Sequence, residues 1–327
     1  MKAIVVPNPG GPEVLRLAEL PDPVPGEREV VIDVHATALN RADLLQRRGV
    51  YPPPPGASSV LGLECAGVVS ALGPGITAAA VGDRVMALLP GGGYAERAVV
   101  HEQLLLPIPA GLSFEQAAAI PEAFLTASEA LFTLGRTLPG EWVLVHAAAS
   151  GVGSAAVQLA CRAGARVLAT TSGSKVARVR ELGAERVVAR DEEDFAEVAL
   201  EVTERRGVDV IVDLVGAAYF AKHAGCLATL GRHVVVGLVG GAKAEVDLGR
   251  LLSRRHALLG LVMRTRPVPD KIAVVERFRR QWLHRFTDGS LFPLVDSVFS
   301  LAEAPRAHER MEANANVGKV VLRVEPT

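Results

Sequence analysis

The segment Val143–Ala160, VLVHAAASGVGSAAVQLA, joins an apolar run suited to a buried strand to a helix through a turn of small residues. From Glu141 onward strand and helix patterns alternate. EWVLVHAAA, RVLATT, ERVVAR, VDVIVDLVG and GRHVVVGLVGG read as strands, with GSAAVQLACRAG, SKVARVRELG and FAEVALEVTERRG as helices. Continuous apolar strands alternating with helices specify a doubly wound parallel sheet covered on both faces.

The turn departs from G-x-G-x-x-G. Ala148 and Ser150 hold the first two glycine places, Gly153 the third, and Gly151 lies inside. Small residues still let the backbone approach a pyrophosphate, and the helix start offers unpaired N–H groups and a positive dipole end. Ser150, Gly151, Val152 and Gly153 are therefore candidate dinucleotide-binding residues; the alternative is a plain strand-to-helix turn.

About twenty residues past such a turn, an NAD-binding chain places an acid on the ribose 2′-hydroxyl. Here the stretch is LATTSGSK, with no acid. Gly173 and Ser174 offer donors, Lys175 a point charge, and Arg190, ending the next strand, a guanidinium able to clamp a phosphate. Together they point to a 2′-phosphate and hence to NADPH. The alternative is that Lys175 and Arg190 are ordinary surface cations, Arg190 paired with Asp191. Gly216 and the run Gly237 to Gly241 end two further strands, where ligands of open α/β sheets bind; for Gly240 and Gly241 turn chemistry explains as much.

Residues 1–122 read differently. Short alternating or apolar runs such as EVVIDVHATAL and GLECAGVVSALG are bounded by Gly and Pro, which suggests a small β-barrel. YPPPPG (51–56) fits neither helix nor central strand and makes an exposed or ligand-facing loop. From Ser113, with Gln116 three residues on, a capped helix is expected to run toward Gly135. The tail after Leu261 does not extend the β-α alternation, so it is expected to return to the first domain. The boundaries are then 1–122 with 262–327, and 123–261.

The chain has 327 residues with 4% aromatics and a net charge of −1, which gives no global support to nucleic-acid binding. The Arg-rich run ERFRRQWLHR (276–285) reads as a solvated helix face. Cys65, Cys161 and Cys226 form no C-x-x-C pair, so neither a zinc lobe nor a redox dithiol is expected, and sparse cysteines fit a reducing compartment. No apolar run is long enough to span a bilayer, and a cytoplasmic location is expected. His35, His101, His146 and His223 are scattered and carry no catalytic assignment; His146 reads as a core histidine.

Several long segments, in order, resemble one family: ALNRADLLQRRGVYPPPPGAS (38–58), LGLECAGVV (61–69), ALLPGGGYAE (87–96), AAAIPEAFLTA (117–127), SGVGSAAVQLA (150–160) and MEANANVGKVVL (311–322). The chain resembles the zinc-independent quinone oxidoreductases of the medium-chain dehydrogenase/reductase superfamily, of the tumour-suppressor-inducible type, with zeta-crystallin further off. The resemblance implies a GroES-like β-barrel catalytic domain plus a Rossmann domain, NADPH as hydride donor and a small quinone as acceptor. In zinc-using relatives a Cys and a His bind the metal; here Asn40 stands in the region of the Cys, and Leu63 in GLE replaces the His of GHE, so no metal is expected.

Carried over by position, Asn40, Arg41 and Asp43 match the active-site segment, Tyr51 an aromatic residue near nicotinamide and quinone, and Thr126 a residue beside the nicotinamide. Leu261 and Asn316 match cofactor-side positions more loosely. Arg190 stands where the family often has Tyr, which shifts 2′-phosphate recognition toward charge. Asn40 and the Tyr51 hydroxyl are the expected donors to the quinone oxygen. Reduction of activated C=C bonds in alkenals or enones is the alternative activity, and an NADPH-binding structural or RNA-binding protein the alternative of another class. A homodimer or higher homo-oligomer is expected, and neither a nucleic-acid nor a membrane partner.

Overall fold

The structure, a computed structural model, describes residues 1–325. The chain divides into two compact units: Met1–Leu125 with Met263–Thr327, and Thr126–Val262.

The first unit begins with an antiparallel pair, β1 (Lys2–Val5) and β2 (Arg16–Glu19). There follow β3 (Glu29–Ala38), the short helix α1 (Arg41–Arg47), β4 (Glu64–Leu72), β5 (Arg84–Leu88), β6 (Arg97–His101) and β7 (Leu105–Pro107). The helix expected from Ser113 starts there, as α2 (Phe114–Ala118), with Ser113 and Gln116 capping each other. It does not run on. Pro121 has no N–H to donate and disfavours helical geometry at Ile120, so the chain restarts as α3 (Pro121–Ser128) and then widens into a π-type turn over Glu129–Leu134.

The second unit is a six-stranded parallel sheet. β8 (Trp142–Val145), α4 (Gly151–Arg162), β9 (Arg166–Thr171), α5 (Val176–Arg180), β10 (Arg186–Ala189), α6 (Phe195–Val202), β11 (Val208–Asp213), α7 (Ala217–Cys226) and β12 (Leu227–Val235) alternate as the sequence pattern requires. After α8 (Leu248–Arg254) comes β13 (Ala257–Gly260), a strand that ALLG does not announce, because it lacks β-branched residues. The order is β10-β9-β8-β11-β12-β13, all parallel, so the direction of winding switches between β8 and β11. Trp142, Leu144, Leu168, Val188, Phe195, Val198, Ile211 and Leu227 form the core beneath the helices on one face.

The chain then adds α9 (Val268–Gln281), β14 (Val295–Ser300), α10 (Ala304–Glu312) and β15 (Lys319–Arg323) to the first unit. Its main sheet is β14-β15-β3-β4-β5-β7, with β6 also on β3. One edge of β3 pairs with β4, and the other is shared by β6 and then β15. β15 therefore ends up beside the start of α1, which places Lys319 near Asn40. Among the described residues no helix is long and apolar enough to cross a membrane.

Candidate active site

In the second unit the candidate cofactor residues gather at the carboxyl ends of the parallel strands. The turn after β8 has Ala147 at φ 47, a left-handed conformation that costs an alanine energy and recurs at functional sites. Ser150 caps α4, its hydroxyl accepting from Gly153 N–H at 3.1 Å. That leaves the Gly151 and Val152 N–H groups for an external acceptor, since a helix supplies none to its first residues. A Cβ on Gly153 would lie 2.3 Å from Ala147 O, so only glycine lets the turn close over the helix. Thr126 is buried at 5% exposure and its Oγ1 has no hydrogen-bond partner. An orphaned buried hydroxyl and unpartnered helix-start amides suit a ligand with polar edges and a pyrophosphate.

Gly173, Ser174 and Lys175 form a single tight turn after β9, with Lys175 N–H on Ser172 O. β9 and β10 are neighbours, and Arg190 N–H bonds Thr171 O at 2.9 Å, so Arg190 lies beside this turn. Two acids share the place. Arg190 Nε is 3.4 Å from Asp191 Oδ1, an exposed pair, and Glu192 Oε1 sits 3.2 Å from where a Cβ on Gly173 would be.

Gly216 has φ 82, and a Cβ there would meet Gly241 O at 2.7 Å. The loop after β12 folds back onto it. Gly241 O and Gly240 O accept from Ala217 and Ala218 N–H, so the chain itself closes the start of α7, and Gly240 and Gly241 serve as turn residues. Gly237 packs on Leu214, and Leu261 N–H bonds Val235 O just past β13. Asn316 lies in the first unit, its amide donating to Gly318 O at 2.8 Å.

The polar centre of the first unit is built around Asn40, the N-cap of α1. Its Nδ2 donates to Glu64 Oε1 at 2.9 Å and Ala38 O at 3.3 Å, while its Oδ1 accepts from Lys319 Nζ at 2.7 Å. A direct bond from Asn40 to a substrate therefore has to replace the longer of these. Lys319 also bridges to Glu64 Oε1 at 2.7 Å, an ion pair with 5% and 0% side-chain exposure. Glu64 Oε2 accepts from Glu122 N–H at 2.8 Å. Burial, reinforced by the Glu64 carboxylate, pushes the Glu122 carboxyl up to about 8. Asp43 is fully buried and pushed up to about 6 by desolvation, against hydrogen bonds from Asn40 N–H, Gly62 N–H and Tyr94 Oη.

Tyr51 sits at the edge of the proline loop, half-buried, with the Arg264 guanidinium 5.3 Å from its ring centre. Arg264 is itself anchored on Pro90 O and Gln46 Oε1, at 2.9 and 2.6 Å. Burial raises the Tyr51 hydroxyl above its ordinary value, so it stays protonated and able to donate. Glu64, Glu122, Lys319 and Arg264 belong to these polar contacts, and the sequence alone does not single them out. Glu64 lies in LGLECAGVV and Lys319 in MEANANVGKVVL, but nothing in their spacing says that they pair.

Two family models match the chain: the zinc-binding dehydrogenase model over residues 151–278 and the alcohol dehydrogenase GroES-like domain over residues 26–110. A quinone oxidoreductase of Pseudomonas aeruginosa is 36% identical, covering 96% of this chain and 96% of that protein. A phenolphthiocerol/phthiocerol polyketide synthase protein of Mycobacterium tuberculosis is 34% identical over 98% of this chain, which spans only 14% of that protein's length. Among solved structures, an NAD-dependent alcohol dehydrogenase (35% identity, TM-score 0.87, 99% of this chain and 100% of that one) and the JamJ enoyl reductase (28% identity, TM-score 0.89, 99% of each) are similar throughout. The residues at the place of the catalytic zinc do not fit that metal. Asn40 offers an amide already bound on both sides, Leu63 is aliphatic and buried, and burial pushes the Cys65 thiol up to about 12.

Proposed function

The chain belongs to the medium-chain dehydrogenase/reductase superfamily, whose members bind a nicotinamide cofactor, and from that premise we propose that it is an NADPH-dependent, zinc-independent reductase of quinones. The observation that carries the reading is the Asn40–Glu64–Lys319 cluster, which stands in place of a metal. In a zinc-dependent dehydrogenase acting on alcohols the metal is the Lewis acid that stabilises an alkoxide, and this cluster offers none. A quinone is already an electron acceptor and needs only hydrogen-bond donors at its oxygens.

Bound NADPH supplies the hydride. Tyr51 Oη, which has no hydrogen-bond partner among the described residues, donates to the quinone oxygen on which charge develops. Arg264 over the ring holds Tyr51 in place. Asn40 fixes the ends of α1 and β15 around the site, and the single proton that the hydride leaves to be supplied reaches the hydroquinone from solvent. The Gly151 and Val152 amides take the pyrophosphate, and Gly153, with its N–H on Ser150 Oγ, keeps the turn tight enough for it to approach. Gly173, Ser174, Lys175 and Arg190 take the 2′-phosphate, which requires the Glu192 carboxylate, now beside Gly173, to move aside.

The test is nicotinamide oxidation by the tag-free protein with small quinones, a conjugated alkenal and an alcohol, with NADPH and NADH side by side. Quinone turnover preferring NADPH supports the proposal. Alcohol oxidation in place of quinone reduction sinks it, and equal use of NADH sinks the phosphate pocket alone.

One observation favours a second reading, reduction of activated C=C bonds. That reaction needs a proton for the α-carbon, and Glu122 is a carboxyl held protonated near neutral pH. The similarity to the JamJ enoyl reductase agrees. Turnover of the alkenal with none of the quinones selects it.

A further inference from the structure

Three histidines and an aspartate, far apart in the sequence, meet inside the second unit. His146 follows β8, Asp213 ends β11, His233 lies in β12 and His223 on α7; their exposures are 0, 0, 4 and 1%. Asp213 Oδ2 is 2.9 Å from His233 Nε2 and 3.6 Å from His223 Nδ1. The second distance is too long for a hydrogen bond, and His223 Nδ1 is a buried atom with no partner.

We propose that Asp213, His223 and His233 form a binding site for a divalent transition-metal ion of the zinc class. Their ligand atoms all lie within 4.8 Å of one another. Around a tetrahedral ion with arms of 2.0–2.1 Å, neighbouring ligands stand about 3.3 Å apart. The two distances from Asp213, 2.9 and 3.6 Å, bracket that separation and the ligand nitrogens of the two imidazoles lie within 4.8 Å of each other, so side-chain shifts that draw the rings together admit the ion.

The surroundings are those of a supported site. A metal-ligating imidazole passes its other N–H to a second acceptor, which fixes ring and tautomer. With Nδ1 facing the ion, His223 Nε2 lies 2.8 Å from His146 Nε2, and His146 Nδ1 lies 2.9 Å from Thr170 Oγ1. The chain runs His223 to His146 to Thr170, each ring donating to the next acceptor. Asp213 Oδ1, the oxygen turned from the ion, accepts from Val215 and Gly216 N–H at 2.8 and 2.9 Å. Those bonds, with that of His233, outweigh burial and hold the carboxyl below its ordinary value. Burial keeps His223 and His146 neutral, so their lone pairs are free of protons at neutral pH. Phe195 and Tyr219 pack on His146, and Phe220 on His233, closing the site with rings.

The site does structural work and does not touch the reaction proposed above. α7 buries only His223 and Cys226, so an ion ligated by His223 pins that helix to β11 and β12. It also fixes Asp213, and through it the Gly216 amide at the start of α7. This metal is distinct from a catalytic zinc in both unit and ligands.

The experiment uses the tag-free full chain, stripped with a chelator and titrated with zinc chloride by calorimetry, with the thermal midpoint followed in parallel. One equivalent is expected to bind and raise the midpoint. His223→Gln and His233→Gln are expected to abolish both effects, and His101→Gln, in the other unit, to leave them. His146→Phe is expected to weaken binding by about 10- to 100-fold, as loss of an outer partner does. If the ligand variants fail to fold, cobalt(II) uptake by the unaltered chain still decides. Ligand-field bands without a thiolate charge-transfer band support the site; a thiolate band puts the ion on a cysteine and overturns it. Absence of zinc uptake by the unaltered chain, or uptake persisting in His223→Gln, also overturns it.

Discussion

Replacing Glu122 by Gln is expected to stabilise the protein at neutral pH. The Glu122 carboxyl is pushed up to about 8 from an ordinary 4.5, first by burial and then by Glu64 and Asp43, against Lys319 and Lys271. The sign follows from the two states. Unfolded, the group ionises above 4.5; folded, it holds its proton to about 8. The folded protein is therefore unpenalised below 4.5 and loses stability steadily as pH climbs to 8, at about 1.4 kcal/mol per unit. At pH 7 this amounts to about 3 kcal/mol. Glu122 keeps partial solvent access, so about 2 kcal/mol is the working expectation. Gln has no charge to lose and keeps the backbone N–H that Glu64 Oε2 accepts. Urea unfolding at pH 4, 5.5 and 7 is the assay. The two proteins should coincide at pH 4 and diverge progressively above it, the variant being the more stable. A variant that is less stable at pH 7, or a difference that does not grow with pH, would falsify the burial argument. Alkenal turnover of the same variant bears on function: a large loss assigns Glu122 the proton, and none removes it from the chemistry.

Three further outcomes are expected. Tyr51→Phe should lower kcat for quinones by about 100-fold, the loss typical of removing one oxyanion donor, with cofactor affinity unchanged by fluorescence titration. Gly153→Ala should weaken dinucleotide binding and cost about 1–3 kcal/mol in unfolding, because its Cβ would lie 2.3 Å from Ala147 O and 2.8 Å from Ala148 Cα. Lys175→Ala with Arg190→Ala should raise KM for NADPH by about 10-fold or more and leave KM for NADH alone; equal effects on both cofactors would return these residues to the surface.

The parallel sheet is legible in the sequence because its signal is local: each strand is a short apolar run, each helix an amphipathic one, and the turn at Ser150 sits between them. The helix after Ser113 is legible at its start, where Ser113 and Gln116 carry a side-chain signature. Its length is not, because Pro121 ends it sooner than apolar spacing suggests. β13 escapes sequence reasoning since ALLG is defined by pairing with β12 rather than by its own residues. The same distinction holds for the site. Small residues at Ser150–Gly153 announce a close backbone approach from the sequence alone. The pairing of Glu64 with Lys319 depends on β15 crossing to the edge of β3, a contact 255 positions apart that no periodicity encodes. His146, His223 and His233 are gathered by the order of the sheet in the same way.

Glu64 links the fold of the first unit to its chemistry. A carboxylate with no exposed side-chain surface must be matched by a cation or give up its charge. The residue before it, Leu63, offers no ligand for a metal, so the compensation has to come from within the protein. Lys319 provides it and takes Asn40 Oδ1 and Leu39 O as its other two acceptors, at 2.7 and 2.6 Å. The ammonium thereby ties together the start of α1, β4 and β15, while Glu64 accepts from Glu122 N–H on its free oxygen. The result is a fixed polar centre in which the Glu64 and Lys319 charges neutralise one another, and in the proposed function the neutral donors are the Tyr51 hydroxyl and, for the second reading, the protonated Glu122 carboxyl. A centre of that kind can assist an acceptor that takes up a hydride readily. It offers no Lewis acid of the kind zinc-dependent alcohol oxidation uses, and in that respect the relation of Glu64 to Lys319 favours reduction of quinones or enones.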